Sequence, residues 1–406
     1  MRAILKVIGL LVLVIVLGGG GFLLWARETI PDLYEPQSPH AAIAAQEFET
    51  AITKSRNELV TVRQTKFYPS MTVSVNQRGK HVWSESIGLS DLKGAVAATP
   101  QTLYPIGSVS KTLTAALVMK MADEGRIELD APIHAYAPGL PDDYGAVTLR
   151  QLLSHQAGVR NYGVAFAPPF FTENGLNREF DTTKESLSLF IDDPVLFEPD
   201  ASFQYSTFGY TLVAYVLEQA SGKDFLTLME EVVLAPLALN KTQPDQQNPR
   251  AARRSTDYMS ALRKLGVIQS PKTNSSYKWA GGGYLSTPDE LTQFGDALLS
   301  NALISESAFA AMTTPRLLPN GDMNPQQYGL GFRIGTMSYP RGSDRLTPIF
   351  HHGGTAAGSE CALLLAPEFE MSVALCGNAF TGGSGSLIQL AANIARNFQD
   401  SNQAEG

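Results

Sequence analysis

The chain has 406 residues, of which 44% are hydrophobic, 17% charged and 9% aromatic, a composition typical of a folded globular protein and not of a disordered or collagen-like chain. Because this length exceeds the size at which one core keeps growing, we expect two lobes or one domain with a large insertion. Lys and Arg number 31 against 39 Asp and Glu. No basic run longer than Arg253-Arg254 appears outside the N-terminus, so nucleic acid is not an expected partner.

The N-terminus predicts a transmembrane helix. The twenty residues Val7–Ala26 carry no charge, and a helix of that length spans about 30 Å, the thickness of the hydrocarbon core of a bilayer. Arg2 and Lys6 favour a cytoplasmic N-terminus, which leaves the rest of the chain on the extracytoplasmic side, in the periplasm or at the cell surface. The alternative is a cleaved signal peptide with its small cleavage-site residues at 18–21, which would make the protein secreted.

The remaining chain divides into predicted segments and elements. We assign residues 1–30 to the anchor or signal peptide, 31–45 to a spacer, 46–399 to one folded domain and 400–406 to a polar tail. Short β-rich runs predict an N-terminal hairpin over Met71–Val75 and His81–Ser86. Helical periodicity follows over Lys111–Glu124, Thr148–His155, Tyr210–Ala220 and Pro288–Leu299. Strand patterns return at Tyr328–Ile334, Leu346–His352, Cys361–Leu365 and Met371–Cys376, before a final helix over Leu387–Phe398.

This order of elements predicts the fold class. Strands near both ends with helices between them indicate an α/β (α+β) fold, in which the two ends of the domain build one sheet and a mainly helical lobe is inserted. Two long segments, 160–190 and 242–278, are rich in Pro, Phe, Asn, Gln and Arg. Long irregular segments of compact domains often form binding loops. We therefore expect these two segments to lie over the functional site and to set substrate selectivity.

A Ser-x-x-Lys pattern suggests nucleophilic chemistry, because on a helix it places a hydroxyl one turn from an amine that can take its proton. It occurs at Ser90–Lys93, Ser108–Lys111 and Ser275–Lys278, so the pattern alone does not choose. Ser108 follows a glycine at a strand-to-helix junction and opens a long apolar helix, whose N-terminal dipole favours an oxyanion. The alternative is that Ser108 or Ser110 only caps this helix.

The wider sequence resembles the serine β-lactamase-like superfamily, which includes class C β-lactamases, D,D-peptidases and related esterases. The resemblance covers about residues 65 to 398 and rests on segments that follow the family's order: IGSVSKTLTAALVMKMADEGRIELDAPIHAYAP, TLRQLLSHQAGV, FQYSTFGYTLVAYVLEQASGKDF, PLALNKT, GGGYLSTPDELTQFG and HHGGTAAGSECALLLAPE. It implies a β-lactamase/transpeptidase-like fold with an antiparallel sheet flanked by helices. It also implies hydrolysis of an acyl substrate without a cofactor.

The resemblance assigns roles to the first two motifs. Ser108 matches the family's acylated nucleophile and Lys111 the lysine that helps to remove its proton. Tyr205 matches the tyrosine of the Tyr-x-Asn motif, whose phenol can relay a proton to the leaving group when a cation lowers its pKa; the alternative is an ordinary core tyrosine. Thr207 replaces the asparagine. The string YSTFGY is similar to the branch that includes the mitochondrial serine β-lactamase-like protein, so we interpret Thr207 as a feature of that branch that weakens a β-lactamase assignment.

The third motif of the family is His-x-Gly, followed four residues later by a second glycine. His352 with Gly354 and Gly358 fits this spacing, whereas a motif that begins at His351 would place Ala357 at the last position. Because side chains alternate along a strand, only one of the two histidines can face the nucleophile, and we choose His352.

Further roles follow from the same resemblance. In the family the amide N–H groups of the nucleophile and of the residue after the third-motif glycine form the oxyanion hole, which corresponds to Ser108 and Thr355 here. Gly354 and Thr207 would line the substrate-binding surface. His155 lies in a segment that the family carries away from the chemistry, so we expect a structural role. The six histidines show no metal-binding spacing, so no metal site is expected.

The two cysteines, Cys361 and Cys376, are too few for a disulfide framework. If residues 361–365 and 371–376 form a hairpin centred between Glu368 and Phe369, the two cysteines lie directly opposite each other. They could then form a disulfide after export, although direct cross-strand geometry is strained. The alternative is a pair of small buried apolar residues.

Two hypotheses about function remain open from the sequence. The first is a membrane-anchored extracytoplasmic serine hydrolase that acts through an acyl-enzyme on Ser108, on peptides, D-amino-acid peptides, β-lactams or small esters. The second is a non-catalytic binding or assembly protein that keeps the fold, for which Thr207 is the best support. The resemblance to the mitochondrial branch also implies self-association into filaments.

Overall fold

The structure is a computed structural model that describes residues 21, 26–30, 40–164, 172–246, 253–260 and 265–404. Of the predicted membrane segment 7–26, all but Gly21 and Ala26 lie outside the described residues, and so do the end of the polar tail and parts of the two predicted binding loops. No helix in the described ranges is both long enough and apolar enough to cross a bilayer.

The described residues form fifteen strands and ten α-helices. The strands are β1 (Arg27–Glu28), β2 (His40–Ala44), β3 (Ser70–Gln77), β4 (Lys80–Asp91), β5 (Val96–Ala97), β6 (Tyr104–Pro105), β7 (Gln243–Pro244), β8 (Tyr258–Met259), β9 (Val267–Gln269), β10 (Tyr284–Ser286), β11 (Arg333–Ser338), β12 (Leu346–Ala356), β13 (Ser359–Ala366), β14 (Met371–Gly377) and β15 (Ala379–Phe380). The helices are α1 (Glu49–Lys66), α2 (Ser110–Asp123), α3 (Leu149–Leu153), α4 (Thr183–Leu187), α5 (Thr207–Ser221), α6 (Phe225–Met229), α7 (Trp279–Gly282), α8 (Pro288–Leu299), α9 (Glu306–Met312) and α10 (Gly385–Ala404).

The central sheet is antiparallel and combines strands from both ends of the domain. Its order is β11-β12-β13-β14-β3-β4-β2, with β5 added to β4. The early hairpin β3–β4 therefore joins the late strands at β14, where Val73 pairs with Leu375. This confirms the predicted antiparallel sheet flanked by helices. The mainly helical segment from α2 to α9 is inserted between the two sets of strands, as expected.

Helices cover both faces of this sheet. Helices α1 and α10 pack on one face, and α8 crosses β3 and β14 on the other. Because neither face of the middle strands meets solvent, β3, β13 and β14 are buried at every position. Two apolar cores result. One lies under α1 and α10, and the larger one joins the α8 face to the inserted helices.

The hairpin β13–β14 has the register that we predict for a hairpin centred between Glu368 and Phe369. Cys361 lies opposite Cys376, both side chains are fully buried, and the two sulfurs form a disulfide. The structure thus contains the disulfide and not the alternative of two unbonded, buried cysteines.

Some predicted boundaries need correction. The strand expected over 328–334 begins only at Arg333, because Tyr328, Leu330 and Phe332 turn into the core instead of pairing along an edge. Strand β2, which lies within the segment 31–45 that we assign to a spacer, pairs with β4. Helix α1 has no counterpart among the predicted elements, and the helix expected over 148–155 ends at Leu153.

Candidate active site

Ser108 occupies a 3₁₀ turn, Gly107–Val109, that leads directly into α2. Gly107 and Val109 are buried while Ser108 is partly exposed, so a substrate can reach the hydroxyl. Gly107 has φ +50°, and a Cβ there would lie 2.6 Å from the backbone nitrogen of Thr355. Only glycine permits this close approach of two backbones. The predicted strand-to-helix junction is therefore present and presents Ser108 at the start of a helix.

The buried amine of Lys111 lies one helical turn after Ser108. Its Nζ is 3.3 Å from Ser108 Oγ and donates to Thr207 Oγ1 at 3.1 Å and to the carbonyl oxygen of Gly281 at 2.5 Å. The side chain is fully buried. The structure therefore brings together three sequence-predicted residues, and the spacing places the amine within reach of the serine proton.

Burial and neighbouring charges shift the pKa of Lys111 and of Tyr205. Burial lowers the pKa of Lys111, and the Arg333 guanidinium lowers it further, whereas Tyr205 acts in the opposite direction. Burial alone would raise the pKa of Tyr205, but Lys111, Arg333 and hydrogen bonds with Ser108 and Lys111 outweigh it, so this pKa lies below its usual value. Both groups can therefore exchange protons closer to neutral pH than in water.

Thr207 takes the place of the family's asparagine and contributes a hydroxyl. Its Oγ1 accepts from Lys111 and its backbone N–H donates to Asn161 Oδ1 at 3.0 Å. Thr207 begins α5, whose preceding residue Ser206 caps the helix by accepting from Gly209 N–H. The replacement thus keeps an oxygen acceptor for the lysine while it removes the amide.

Strand β12 passes close to the nucleophile. A Cβ on Gly354 would lie 1.8 Å from the carbonyl oxygen of Ile106 and 3.2 Å from the backbone nitrogen of Ser108. This contact explains why the position is glycine, and it brings Thr355 beside the turn that holds Ser108. The backbone amides assigned to the oxyanion hole are therefore neighbours in the structure.

His352 is buried on the nucleophile's side of the sheet, at 6.4 Å between its ring centroid and that of Tyr205. Its Nδ1 lies 2.7 Å from the carbonyl oxygen of Gly353 and must carry the proton. Nε2 then accepts from Tyr328 Oη at 2.9 Å and from Arg333 Nη1 at 3.2 Å. Burial, followed by the charges of Arg333 and Lys111, holds the pKa of His352 well below its usual range. The ring is therefore neutral and orients Tyr328 and Arg333.

Sequence reasoning missed Arg333 and Tyr328. The guanidinium carbon lies 5.2 Å from the ring centroid of Tyr205 and 5.3 Å from that of Tyr328, and Gln326 holds the guanidinium from the other side. Neither residue belongs to one of the motifs. Their alternation with buried apolar residues resembles an ordinary strand, so the sequence offered no signal for them.

His155 lies nearer to the chemistry than expected. Its ring centroid is 4.3 Å from that of Tyr205 and 4.6 Å from that of Tyr328. Its Nδ1 accepts from the backbone N–H of Ser206 at 3.2 Å, and burial holds its pKa well below the usual range. The expectation of a distant segment is therefore wrong in position, whereas the contacts are those of a neutral residue that supports Tyr205.

The other two Ser-x-x-Lys matches form no such arrangement. Lys278 Nζ bonds to the backbone and side-chain oxygens of Asn174 at 3.2 and 3.0 Å, and Lys93 is exposed to solvent. Ser90 donates to the backbone of β5. No three His, Cys, Asp or Glu side chains in the described part of the chain lie close enough together to hold a metal ion.

A serine beside a buried lysine, flanked by a tyrosine on one side and a glycine-bearing strand on the other, is the arrangement of the serine β-lactamase and penicillin-binding class. The family profile described as Beta-lactamase matches residues 58–395. The chain therefore belongs to the beta-lactamase family, which includes serine hydrolases.

Relatives agree with this assignment. The human mitochondrial serine beta-lactamase-like protein LACTB is 30% identical in an alignment that covers 82% of this chain and 75% of that protein. The structure of an octameric penicillin-binding protein homologue from Pyrococcus abyssi aligns with a TM-score of 0.70 at 22% identity, over 84% of this chain and 76% of that one. A D-stereospecific amidohydrolase from Streptomyces aligns with a TM-score of 0.66 at 24% identity, over 84% and 98% of the two chains.

Proposed function

We propose that this protein is a membrane-anchored extracytoplasmic serine hydrolase that forms an acyl-enzyme on Ser108 with small-molecule or peptide substrates. The observation that carries the proposal is the contact of Lys111 Nζ with Ser108 Oγ at 3.3 Å, inside a buried site that lowers the pKa of the amine. An amine that is easily deprotonated, placed one turn from a reachable hydroxyl, activates a serine nucleophile. Esters, peptides, D-amino-acid peptides and β-lactams all contain the acyl group that this chemistry needs.

The reaction follows from these positions. Ser108 Oγ attacks the substrate carbonyl carbon while its proton passes to the Lys111–Tyr205 pair, and the carbonyl oxygen becomes an oxyanion beside the N–H groups of Ser108 and Thr355. The bond to the leaving group then breaks, and that group departs with a proton from Tyr205. Water attacks the acyl-serine next, which releases the acid and restores the hydroxyl.

In this proposal the two long segments, 160–190 and 242–278, set the substrate selectivity. Residues 160–190 contribute Asn161, whose side-chain oxygen accepts from the backbone N–H of Thr207 at 3.0 Å. Residues 242–278 end on Lys278, whose amine lies 5.9 Å from the ring centroid of Tyr162. Burial lowers the pKa of Lys278 to about 8. Exchange of either segment should change the ranking of substrates and leave reaction at Ser108 with a small unselective probe unchanged.

The location is inferred from the sequence outside the described residues. The uncharged run 7–26 and the preceding Arg2 and Lys6 support an anchor with the domain outside the cytoplasm. The disulfide between Cys361 and Cys376 is consistent with an oxidising compartment. Alkaline carbonate extraction of membranes tests the anchor: a chain that stays in the pellet has it, and a chain found in the supernatant is a secreted form.

Intact mass after treatment with a fluorophosphonate tests the nucleophile. The full chain in detergent should gain one adduct, and Ser108→Ala should gain none. Ser90→Ala and Ser275→Ala are matched controls, since both serines belong to the same pattern, and both variants should be labelled like wild type. Folded wild-type protein that gains no adduct would contradict the proposal.

That contrary result would favour the second candidate, a non-catalytic assembly protein. Thr207 in place of the motif asparagine supports it, and a structurally similar protein is described as octameric. Self-association is measured separately by analytical ultracentrifugation of wild type and Ser108→Ala. Assembly without labelling would support this second candidate, whereas labelling of Ser108 would contradict it.

A further inference from the structure

A second, smaller sheet lies beside the active-site strand. Its order is β1-β9-β8-β15. One row of directly paired residues crosses all four strands, since Arg27 pairs with Ile268, Ile268 with Met259 and Met259 with Phe380. Directly paired residues point to the same face of a sheet. We call this row Arg27, Ile268, Met259 and Phe380 the outer row.

The two faces of this sheet differ in burial. Val267, Tyr258 and Ala379, which alternate with the outer row along the strands, are fully buried against the main domain. In the outer row Phe380 is 41% exposed, and Met259 and Ile268 are partly exposed. The outer face of the sheet therefore presents three adjacent apolar side chains, bordered at one end by an exposed cation.

More exposed apolar and basic side chains lie near this sheet. Leu265, two residues before β9, is 52% exposed. In the turn that leads into β5, Lys93 is exposed to solvent, and Val96, the first residue of β5, is 51% exposed. This turn adjoins the small sheet, because the backbone N–H of Leu92 donates to Tyr258 Oη at 2.9 Å. Apolar and basic side chains that alternate at one surface fit the headgroup region of a bilayer, where apolar groups insert and long cations reach lipid phosphates.

The chain itself indicates what covers this face. Arg27, which pairs with β9, follows directly on Ala26, the last residue of the uncharged run. No linker separates the run from the sheet, so a bilayer that contains the run must lie at the edge of the sheet. We propose that the outer row rests on the bilayer surface and fixes the orientation of the domain on the membrane. This inference rests on the anchor that is part of the proposed function.

The orientation places the active site near the lipid headgroups. Two strand spacings of about 4.8 Å separate β1 from β8, and the backbone N–H of Tyr258 in β8 donates to the carbonyl oxygen of Gly358 at 3.2 Å. Gly358 lies three residues after Thr355, whose backbone lies against Gly107 in the turn that holds Ser108. The β12–β13 turn at Gly358, which follows the strand residue Thr355, thus lies about 15 Å from the end of the uncharged run.

A fluorescence experiment on the full chain tests the proposal. The two native cysteines are joined in the disulfide, so Phe380→Cys introduces a single reactive thiol for an environment-sensitive dye. The matched control is Leu346→Cys, because Leu346 is also an exposed apolar residue, at 62%. It lies ten residues from Ala356 along β12, about 33 Å from the end that adjoins the small sheet.

In phosphatidylcholine vesicles that contain headgroup-spin-labelled lipid, we expect the dye at position 380 to shift to the blue and to lose at least half of its emission. The dye at position 346 should change little. Equal emission with and without spin-labelled lipid at position 380, or equal quenching at both positions, would overturn the proposal.

Two measurements on the same vesicles separate this inference from the proposed function. Fluorophosphonate labelling of Ser108 reports the folded nucleophile, and carbonate extraction reports the anchor. Quenching at position 380 without labelling would reject the hydrolase and keep the orientation. Labelling of an anchored chain without quenching would reject the orientation and keep the hydrolase, and a chain extracted by carbonate would reject the anchor and the orientation together.

Discussion

The two faces of the central sheet both pack on apolar cores, but only one of them adjoins the candidate active site. Under α1 and α10 the contacts are apolar, with Phe398 of α10 packed at 5.3 Å from Phe48 and 6.0 Å from Trp83 between ring centroids. On the side of the inserted helices, the same burial encloses an amine, Lys111, together with Thr207. The first face lowers the free energy of the folded state by removing apolar surface from water. The second face also encloses the Lys111 amine, whose removal from water raises the free energy of the folded state.

The comparison shows how stability and chemistry are divided in this fold. An amine removed from water costs several kcal/mol before its partners compensate, and Lys111 has three oxygen partners, on Ser108, Thr207 and Gly281. Substitutions among the polar residues around Lys111 should therefore reduce the reactivity of Ser108 with little loss of stability. Substitutions in the apolar core under α1 and α10 should reduce stability and leave the reactivity of Ser108 unchanged.

Lys111→Met is the sharpest way to break the comparison. Removal of the proton acceptor should slow fluorophosphonate labelling of Ser108 by about a thousandfold, while the free energy of unfolding stays equal or rises, because an apolar chain of similar size needs no compensation. Labelling kinetics and urea unfolding measure the two effects. Lys278→Met, at the other buried lysine, is the control and should stay within tenfold of wild type. Wild-type labelling of Lys111→Met would contradict the assigned role.

Phe398→Ala tests the apolar face. Loss of a fully buried aromatic ring should lower the free energy of unfolding by about 3 to 5 kcal/mol and leave the labelling rate of the folded fraction unchanged. Urea unfolding, with labelling at low urea, measures both quantities. Phe398→Leu should lower the free energy of unfolding by less than half as much. A labelling rate that falls together with stability in both variants would contradict the independence of the two faces.

Gly354→Ala tests the oxyanion hole, on the side of the sheet that adjoins the candidate active site. The added methyl would lie 1.8 Å from the carbonyl oxygen of Ile106, so β12 must move away from the turn that holds Ser108. Displacement of one oxyanion donor should slow acylation about 10²-fold to 10³-fold. Gly335→Ala on the neighbouring β11 is the control, because its methyl would meet its nearest atoms at 3.5 Å. Unchanged acylation kinetics in Gly354→Ala would remove Thr355 from the oxyanion hole.

Arg333→Gln should have the smallest effect, a shift in pH dependence. The Arg333 guanidinium lowers the pKa of both Lys111 and Tyr205, so its removal raises both. Because the deprotonated form accepts the serine proton, the rising limb of the labelling rate should move to higher pH, by up to about one pH unit. Arg316→Gln, at an arginine that pairs with Asp200, should leave the profile in place. A limb that moves to lower pH would contradict the electrostatic argument.

Local patterns in the sequence were sufficient for much of this protein. The periodicity of α2, α5 and α8, the hairpin β3–β4 and the opposition of Cys361 and Cys376 each depend on residues close together in the chain, whose spacing alone sets which face they occupy. The pairing of Ser108 with Lys111 belongs to the same group, since one helical turn joins them. The family resemblance then supplied Tyr205 and His352.

Contacts between distant segments were decided only by the tertiary structure. Arg333 reaches Tyr205 across 128 positions of sequence, and Arg27 joins the edge of a sheet that begins more than 200 residues later. No local periodicity encodes such contacts, because they depend on how whole elements pack. The sequence by itself therefore determined most of the elements, their order and the pairing of Ser108 with Lys111. The packing decided which charges and rings surround that pair and which face of the small sheet stays open.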